Sequence, residues 1–273
     1  MSGDVAATSA KFADRLARRI VASVERPLVV GLTGPQGSGK STLAARLSLL
    51  LAARGLRAAV LALDDLYLPK PDRLRLAADV HPLLATRGVP GTHDVALGLM
   101  VLASLTTARQ TRVPSFDKGV DDRLPHAEWP VVKGPADVVI FEGWCVGARP
   151  QPPEALAGPV NDLERERDPE GVWRAYVNAA LARSYRELFA RIGLQALLLA
   201  PGFEAVLGWR LQQEHEMRAR RGAVGQSDAE IAVFIQHYER LTRHVAAEMP
   251  GRADVVVRLG PQREVLSYST IDE

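Results

Sequence analysis

A run of glycines followed by a lysine and a serine has the spacing of a phosphate-binding loop. Residues 34–41 read GPQGSGKS and match the pattern G-x-x-x-x-G-K-[ST] in full, between an apolar run and a helix-forming run. Backbone N–H groups and a helix N-terminus would surround a phosphate there, and the lysine and the serine would meet the terminal phosphates and Mg²⁺. The predicted nucleotide-binding residues are Gly34, Pro35, Gln36, Gly37, Ser38, Gly39, Lys40, Ser41 and Thr42.

The alternative for this motif is an ordinary Gly/Ser turn before a helix. The chain contains only five lysines, and one of them stands at the position that the pattern requires. We therefore predict that the protein binds a nucleoside triphosphate.

Three acidic residues follow directly on two other apolar runs. Asp64 and Asp65 come after the run 58–63, and Glu142 comes after the run 138–141. The carboxyl ends of parallel strands share the sheet edge where α/β proteins bind ligands. A carboxylate there can take the proton of an attacking hydroxyl or hold Mg²⁺ through oxygen ligands. The aspartate pair could instead cap the next turn, and Glu142 could simply end its strand.

Arginines cluster between two predicted helices near the end of the chain. Arg218, Arg220 and Arg221 separate a predicted helix at 203–218 from one that begins at Ser227. Arginines on a mobile hinge can close over a triphosphate and neutralise the charge that develops during phosphoryl transfer. We predict a lid at about 215–227, with Arg218 and Arg221 binding nucleotide. A solvated basic helix end is the alternative.

The long stretch between the second and third predicted strands carries residues suited to an acidic acceptor. Arginine offers a fork of donors that matches a carboxylate, and Arg87 and Arg123 both stand among turn residues. His93, Asp117 and Lys118 complete this predicted acceptor set. Each has a structural alternative: Arg123 could pair with neighbouring aspartates, His93 could cap the helix that follows, and Asp117 could hold Lys118.

Apolar runs of strand length alternate with runs of helical periodicity, which predicts an α/β fold with a parallel sheet flanked by helices. A single domain over 1–273 accommodates them, with a substrate-binding insert at about 66–135. The predicted strands lie at 27–32, 58–63, 138–141, 196–199 and 254–258, and the predicted helices at 40–54, 94–105, 175–191, 203–218 and 227–247.

Composition excludes several classes of protein. The 273 residues are 47% hydrophobic and carry a formal charge of only +2, so neither a disordered chain nor a polyanion-binding surface is expected. A single cysteine excludes an internal disulfide framework and, with no targeting segment in view, predicts a cytoplasmic protein. Phe12, Leu16, Ile20 and Val24 recur every four residues, which predicts an amphipathic helix on the domain edge rather than on a membrane.

Five sequence blocks resemble D-glycerate 3-kinase and the fungal kinase-like proteins related to it. The blocks are LDDLYLP at 63–69, RGVPGTHD at 87–94, FDKGVDDR at 116–123, EGWCVG at 142–147 and WRLQQE at 209–214, with further agreement in NDLE at 161–164 and GVWR at 171–174. These relatives are grouped with uridine kinase, phosphoribulokinase and bacterial pantothenate kinase as P-loop kinases. The resemblance therefore implies a P-loop fold and transfer of phosphate from ATP to a hydroxyl.

The resemblance also implies roles for particular positions. Asp64 matches the catalytic base, Tyr67 the aromatic residue that follows it, and Glu142 the acid of the metal site. Asp65 joins Tyr67 among the predicted substrate-binding residues, and the arginines at 218, 220 and 221 match the lid. Leu66 stands where phenylalanine is common, and Gln226 stands where methionine is expected.

The combined prediction is an ATP- and Mg²⁺-dependent kinase for a small hydroxy metabolite, with D-glycerate as the first choice. A nucleoside, pantothenate or a sugar phosphate is the nearer alternative acceptor, and a non-enzymatic ATP-dependent switch is the more distant one. Neither a nucleic-acid partner nor a membrane is expected, and the sequence leaves the oligomeric state open.

Overall fold

The computed structural model describes residues 2–221 and 227–271, with side chains except at 2–10, Met217, Arg220 and Arg221. Helices and strands follow one another along the chain, and short 3-10 turns join several of them. The elements are α1 (Ser2–Ala22), β1 (Leu28–Thr33), α2 (Lys40–Ala52), β2 (Ala58–Ala62), α3 (Lys70–Asp79), α4 (Val95–Thr107), β3 (Gln110–Arg112), β4 (Phe116–Asp117), β5 (Asp122–Arg123), β6 (Val131–Lys133), β7 (Val138–Gly143), α5 (Asp162–Arg167), α6 (Val172–Ala182), α7 (Ser184–Phe189), β8 (Leu194–Leu199), α8 (Phe203–Arg221), α9 (Asp228–Glu248), β9 (Val255–Leu259) and β10 (Val265–Thr270).

A six-stranded sheet in the order β10-β9-β8-β1-β7-β2 forms the centre of the molecule. Five of its strands are parallel, and β10 pairs with β9 in the antiparallel sense. Glu142 in β7 lies in register with Leu32 of β1 and with Ala62 of β2. This register brings the loops after β1, β2 and β7 to one edge, as the sequence predicts.

The central strands are buried on both faces because helices cover the sheet from each side. Helices α1 and α2 place Leu16, Ile20 and Leu47 on one face. Helices α4, α7 and α9 place residues such as Leu102 and Leu188 on the other face. The apolar stripe of α1 is therefore buried against the sheet as far as Ile20, as predicted, whereas Val24 lies beyond the end of α1 and is exposed.

The five predicted strands and most of the predicted helices are present, and the capping box of Ser227 and Glu230 begins α9 as expected. The predicted helix 175–191 is wrong in one respect: it is two helices, α6 and α7, which meet at Arg183, where φ is −107° and ψ is −99°. The sequence did not predict α3 or β10. Within the described chain, every helix is too short or too polar to span a bilayer.

The segment between β2 and β7 folds over the carboxyl edge of the sheet. It contains α3, α4 and two small antiparallel ribbons, β3–β6 and β4–β5. The buried side chain of Arg73 anchors the β4–β5 turn, since its Nη2 lies 2.7 Å from the Asp121 carbonyl oxygen and 2.9 Å from Asp121 Oδ2. These contacts therefore fix the position of the β4–β5 ribbon beside the end of β2.

Candidate active site

The loop between β1 and α2 has the shape of a phosphate cradle. Gly37 and Gly39 have φ angles of +76° and +86°, in the left-handed region that glycine adopts without strain. A Cβ on Gly37 would lie 2.6 Å from the Trp209 Cβ and 3.2 Å from the Trp209 carbonyl carbon. Only glycine fits there, because α8 packs directly on the outer turn of the loop.

Polar groups of the cradle fit a nucleotide phosphate and a metal ion. Among the described residues, the buried Gln36 Oε1 and Ser38 Oγ atoms have no hydrogen-bond partner. The Ser41 hydroxyl donates to Glu142 Oε1 over 2.6 Å, so a hydroxyl and a buried carboxylate stand side by side. Magnesium prefers oxygen ligands of this kind, and Ser41 and Glu142 are the residues that could hold it.

Asp64 is held by two donors in the 3-10 turn after β2. Lys118 Nζ lies 2.6 Å from Asp64 Oδ2, and the Tyr67 hydroxyl donates to Asp64 Oδ1 over 2.9 Å. Burial alone would raise the pKa of Asp64, but the charges of Lys118 and Lys40 and these two hydrogen bonds hold it well below its usual range. The side chain is therefore an ionised carboxylate beside the cradle lysine.

Asp65 has a different environment, although it is the next residue. Burial, with the negative charges of Asp64 and Glu142, raises the pKa of Asp65 to about 6, despite the backbone hydrogen bond from Phe116 and the charge of Lys118. The Phe116 N–H lies 3.1 Å from Asp65 Oδ1, which ties β4 to the end of β2. Asp65 thus supports the insert and is not among the residues that line the described cavity.

A cavity of about 390 Å³ joins the cradle to the insert. Its walls come from the cradle, the two strand-end acids, the insert and helices α8 and α9. The lining residues are Gln36, Gly37, Lys40, Ser41, Asp64, Tyr67, Arg87, Lys118, Glu142, Trp144, Arg210, Gln213, Glu214, Phe234 and Tyr238.

Three basic side chains in this wall are each paired with an acid. Lys118 pairs with Asp64, Arg87 forms an ion pair with Asp121, and Arg210 Nη2 lies 2.9 Å from Glu214 Oε2. The Glu214 side chain is only 2% exposed. The cavity wall therefore carries charges of both signs.

Three predicted acceptor residues have other contacts and do not line the cavity. The Arg123 guanidinium pairs with Asp94 over 3.1 Å and donates to the Tyr67 carbonyl oxygen, and the Arg123 backbone N–H donates to Asp122 Oδ1 over 2.8 Å. Its role in binding an acceptor carboxylate stays a prediction. The Asp117 carboxylate accepts from the Gly119 N–H and does not hold Lys118.

His93 is the third of these residues. It stacks on Tyr67 with ring centroids 4.7 Å apart, and its Nδ1 lies 2.6 Å from the Tyr185 hydroxyl. Burial lowers the pKa of His93 to about 3, so the ring is neutral. It packs against the Tyr67 ring, and the helix cap that was the alternative role for His93 is supplied by Asp94.

The predicted lid is described only in part. Arg218 lies on α8, one turn beyond Glu214, with its Nε 4.0 Å from Glu214 Oε1. Its Nε and Nη2 are buried and have no hydrogen-bond partner within the described chain. The side chains of Arg220 and Arg221, and residues 222–226 with Gln226 among them, lie outside the part of the chain that the structure describes.

Several cavity residues were not predicted. Arg210 and Glu214 stand in the WRLQQE block, and their spacing of four residues was the available signal. Tyr238 and Phe234 come from the middle of α9, where helical periodicity cannot distinguish a core face from a cavity wall. Arg263, from the turn before β10, donates to the Gly37 carbonyl oxygen over 2.5 Å. No sequence pattern connects it with the cradle.

Comparisons with known proteins agree with this geometry. A family profile described as "Methylmalonyl Co-A mutase-associated GTPase MeaB" matches residues 4–67, which include the cradle. The kinase mug58 of Schizosaccharomyces pombe is 36% identical over 224 residues, covering 78% of this chain and 79% of the relative. The chloroplastic D-glycerate 3-kinase of Arabidopsis thaliana is 32% identical over 222 residues, covering 78% of this chain and 46% of that longer protein.

The similarity extends to a solved structure. D-glycerate 3-kinase from Cryptococcus neoformans var. grubii superposes with a TM-score of 0.79 at 29% identity, over 98% of this chain and 99% of that one. Fold, cradle and relatives together define a P-loop kinase that acts on a small molecule. Within that class, the chain belongs to the family formed by D-glycerate 3-kinase and its fungal kinase relatives.

Proposed function

We propose that this kinase transfers the γ-phosphoryl group of Mg·ATP to the 3-hydroxyl of D-glycerate. The observation that carries the proposal is the position of Asp64, which lines one cavity with the cradle lysine and with two cations of the insert, Lys118 and Arg87. Relatives named for this activity support it.

The acceptor half of the cavity suits a small hydroxy acid. In D-glycerate only two carbon atoms separate the 3-hydroxyl oxygen from the carboxylate. A cation that holds the carboxylate must therefore lie close to the base that takes the hydroxyl proton. Lys118 meets that requirement, because its Nζ is 2.6 Å from Asp64 Oδ2. Arg87 lies in the same wall and supplies a second positive charge.

The phosphate half of the cavity is formed by the cradle. Lys40 and the backbone of Gly37 and Ser38 bind the phosphates, and Arg218 and Arg221 are proposed to close over them. Magnesium, held by Ser41 and Glu142, would offset negative charge on the phosphate oxygens.

In the transfer step, the acceptor oxygen forms a bond to the γ-phosphorus while the bond from phosphorus to the bridging oxygen of ADP breaks. Asp64 accepts the hydroxyl proton, and Lys40 stays against the phosphates as charge develops. The aromatic side chains of Trp144, Phe234 and Tyr238 exclude water from the same cavity. Asp64→Asn should lower kcat by a factor of about 10² or more and leave ATP affinity nearly unchanged.

The experiment that tests the function measures ADP release from Mg·ATP with D-glycerate, L-glycerate, pantothenate, uridine or ribulose 5-phosphate, each against a blank without acceptor. We expect stimulation by D-glycerate, with 3-phosphoglycerate as the product. Stimulation by a different acceptor alone would support kinase activity and exclude D-glycerate as the acceptor. A cytoplasmic location remains part of this proposal.

A further inference from the structure

Both oxygens of the proposed base are engaged by donors. The Tyr67 hydroxyl donates a hydrogen bond to Asp64 Oδ1, and the ammonium group of Lys118 donates one to Oδ2. The tyrosine bond leaves the carboxylate charged and orients it. The lysine bond opposes proton uptake, because adding a proton to Asp64 would break an ion pair between full charges. A base in this state is poorly suited to accept the proton of a hydroxyl.

Lys118 is placed so that it can leave Asp64 without disturbing the fold. Its side chain is 58% exposed and stands in the turn between β4 and β5. The end of that turn is fixed at Asp121 by Arg73 and Arg87, and the base of the ribbon is fixed by the pair of Arg123 with Asp94. The lysine stem is flexible, whereas its surroundings are anchored.

An acceptor carboxylate is the group that would draw Lys118 away. It carries the same charge as Asp64, so the ammonium group can exchange one carboxylate for the other at little electrostatic cost. Water and neutral alcohols have no such charge. They would therefore encounter Asp64 while it is still paired with Lys118.

We propose that Lys118 is a mask on the catalytic base that only an anionic acceptor removes. This inference rests on the proposed function and deepens it. Lys118 is then a specificity-determining residue: its transfer to the acceptor carboxylate frees Asp64 Oδ2 to accept the hydroxyl proton. The same exchange makes phosphoryl transfer dependent on a carboxylate and holds back transfer to water.

The test compares the wild-type enzyme with Lys118→Met, using D-glycerate, glycerol and no acceptor. Glycerol keeps the three carbons and the hydroxyl but lacks the carboxylate. In the variant we expect kcat/KM for D-glycerate to fall about tenfold or more, because a carboxylate contact is lost. We also expect kcat/KM for glycerol and acceptor-independent ATP hydrolysis to rise about tenfold, because the base is unmasked.

Control variants separate the mask from other roles. Lys118→Arg keeps the positive charge, so its kcat/KM for glycerol should stay as low as that of the wild type. Lys118→Gln should behave as Lys118→Met does. Lys133→Met removes another exposed lysine of the insert, outside the described cavity wall, and should change nothing. Adding Asp64→Asn to Lys118→Met should abolish both gains.

The outcomes distinguish this inference from the proposed function. If wild-type enzyme does not phosphorylate D-glycerate, but Lys118→Met raises ATP hydrolysis in an Asp64-dependent way, the acceptor is wrong and the mask is supported. If wild-type enzyme phosphorylates D-glycerate and neither uncharged variant gains hydrolysis or glycerol phosphorylation, the mask is overturned. A merely structural lysine would give losses with every acceptor and no gain.

Discussion

At the scale of single residues, two neighbouring aspartates show how position decides charge. Asp64 faces Lys118 and Lys40, so its pKa is held below its usual range although burial opposes this. Asp65 accepts a hydrogen bond from the Phe116 N–H, and burial, with the negative charges of Asp64 and Glu142, raises its pKa to about 6 although Lys118 opposes this. The Asp64 carboxylate therefore stays ionised, as a proton acceptor must be. The Asp65 carboxylate costs stability when it ionises in the folded protein.

We predict that Asp65→Asn stabilises the protein above neutral pH. A carboxyl group whose pKa is about 6 in the folded state and about 4 in the unfolded state holds its proton longer when folded. The wild-type protein therefore loses stability as pH rises from about 4 to about 6, and the loss persists above that range. The asparagine keeps a side-chain oxygen that can accept from the Phe116 N–H. Because it does not ionise, the variant does not lose stability as pH rises.

The measurement is Tm against pH in EDTA, because a bound metal would change the charges near Asp65. The difference in Tm between variant and wild type should increase between pH 4 and pH 6 and then stay constant. A difference that is the same at pH 4 and pH 8 would show that Asp65 does not titrate as proposed.

The rule that ligands bind at the carboxyl ends of parallel strands was sufficient to predict where Asp64 and Glu142 lie. It could not predict their partners. Lys118 is 54 residues from Asp64 in sequence, and its approach depends on the β4–β5 ribbon. For the same reason the sequence predicts a substrate role for Arg123 but not its ion pair with Asp94, which depends on tertiary packing.

At the scale of elements, the hairpin of β9 and β10 supports the phosphate cradle from outside. Arg263 in its turn donates to the Gly37 carbonyl oxygen and, over 2.9 Å, to Gln212 Oε1 on α8. Its guanidinium carbon lies 5.4 Å from the centroid of the Trp209 ring, and the Trp209 indole N–H donates to the Pro261 carbonyl oxygen. Three elements are thus joined at one arginine.

We predict that Arg263→Ala raises the KM for ATP about tenfold, since hydrogen bonds from charged groups contribute about 1.5–3 kcal/mol each and the cradle would lose its outer support. Arg263→Lys should restore little, because an ammonium group cannot make the planar set of contacts. Gln262→Ala, an exposed change in the same turn, is the matched control for steady-state kinetics. An unchanged KM in Arg263→Ala would mean that the cradle holds its shape unaided.

Packing explains two of the sequence blocks on which the resemblance rests. In the NDLE block, Asn161 caps α5 and Glu164 is fully buried against Arg240 of α9, with Oε2 and Nη2 2.7 Å apart. In the GVWR block, Arg174 forms a buried pair with Asp168. The pair of Glu164 and Arg240 holds the segment after β7 against α9, which lines the cavity, and Arg174 ties the start of α6 to the same segment.

Glu164→Gln is predicted to lower the free energy of unfolding by about 3 kcal/mol, because it leaves a buried arginine without its counter-charge. Arg165→Gln breaks an exposed pair with Asp162 on the same helix and should cost less than about 1 kcal/mol. Urea denaturation of both variants measures the difference. Equal small losses would show that the buried pair contributes no more than an exposed one.

Sequence patterns predicted the strands and helices that have a regular apolar pattern. They missed β10 and α3, which lack one, and the break between α6 and α7. Residues of β10 are half-exposed or exposed at the sheet edge, and they lack the apolar run that marks a central strand. Helix α3 is polar and short, with Arg73 as its buried residue. The join at Arg183 interrupts a continuous helical periodicity, and the sequence contains no glycine or proline there to indicate a break.

At the scale of the whole molecule, the cavity is assembled from loops after β1, β2 and β7, from the insert and from α8 and α9. These parts are far apart in sequence and meet only in the folded chain. A nucleotide that binds there therefore binds the native state and not the unfolded chain. Binding should stabilise the whole fold through mass action.

We predict that Mg·ATP at about a hundred times its Kd adds about 2.7 kcal/mol to the stability, which corresponds to about 5–10 °C in Tm for a chain of this size. Lys40→Ala should fold normally without ligand and lose most of this shift, because the lysine charge binds the phosphates. Thr107→Ala, far from the cradle at the end of α4, should keep the shift. A shift that survives Lys40→Ala would place the nucleotide outside the cradle. Loss of the shift in both variants would indicate damage to the fold, which circular dichroism of the ligand-free proteins would detect.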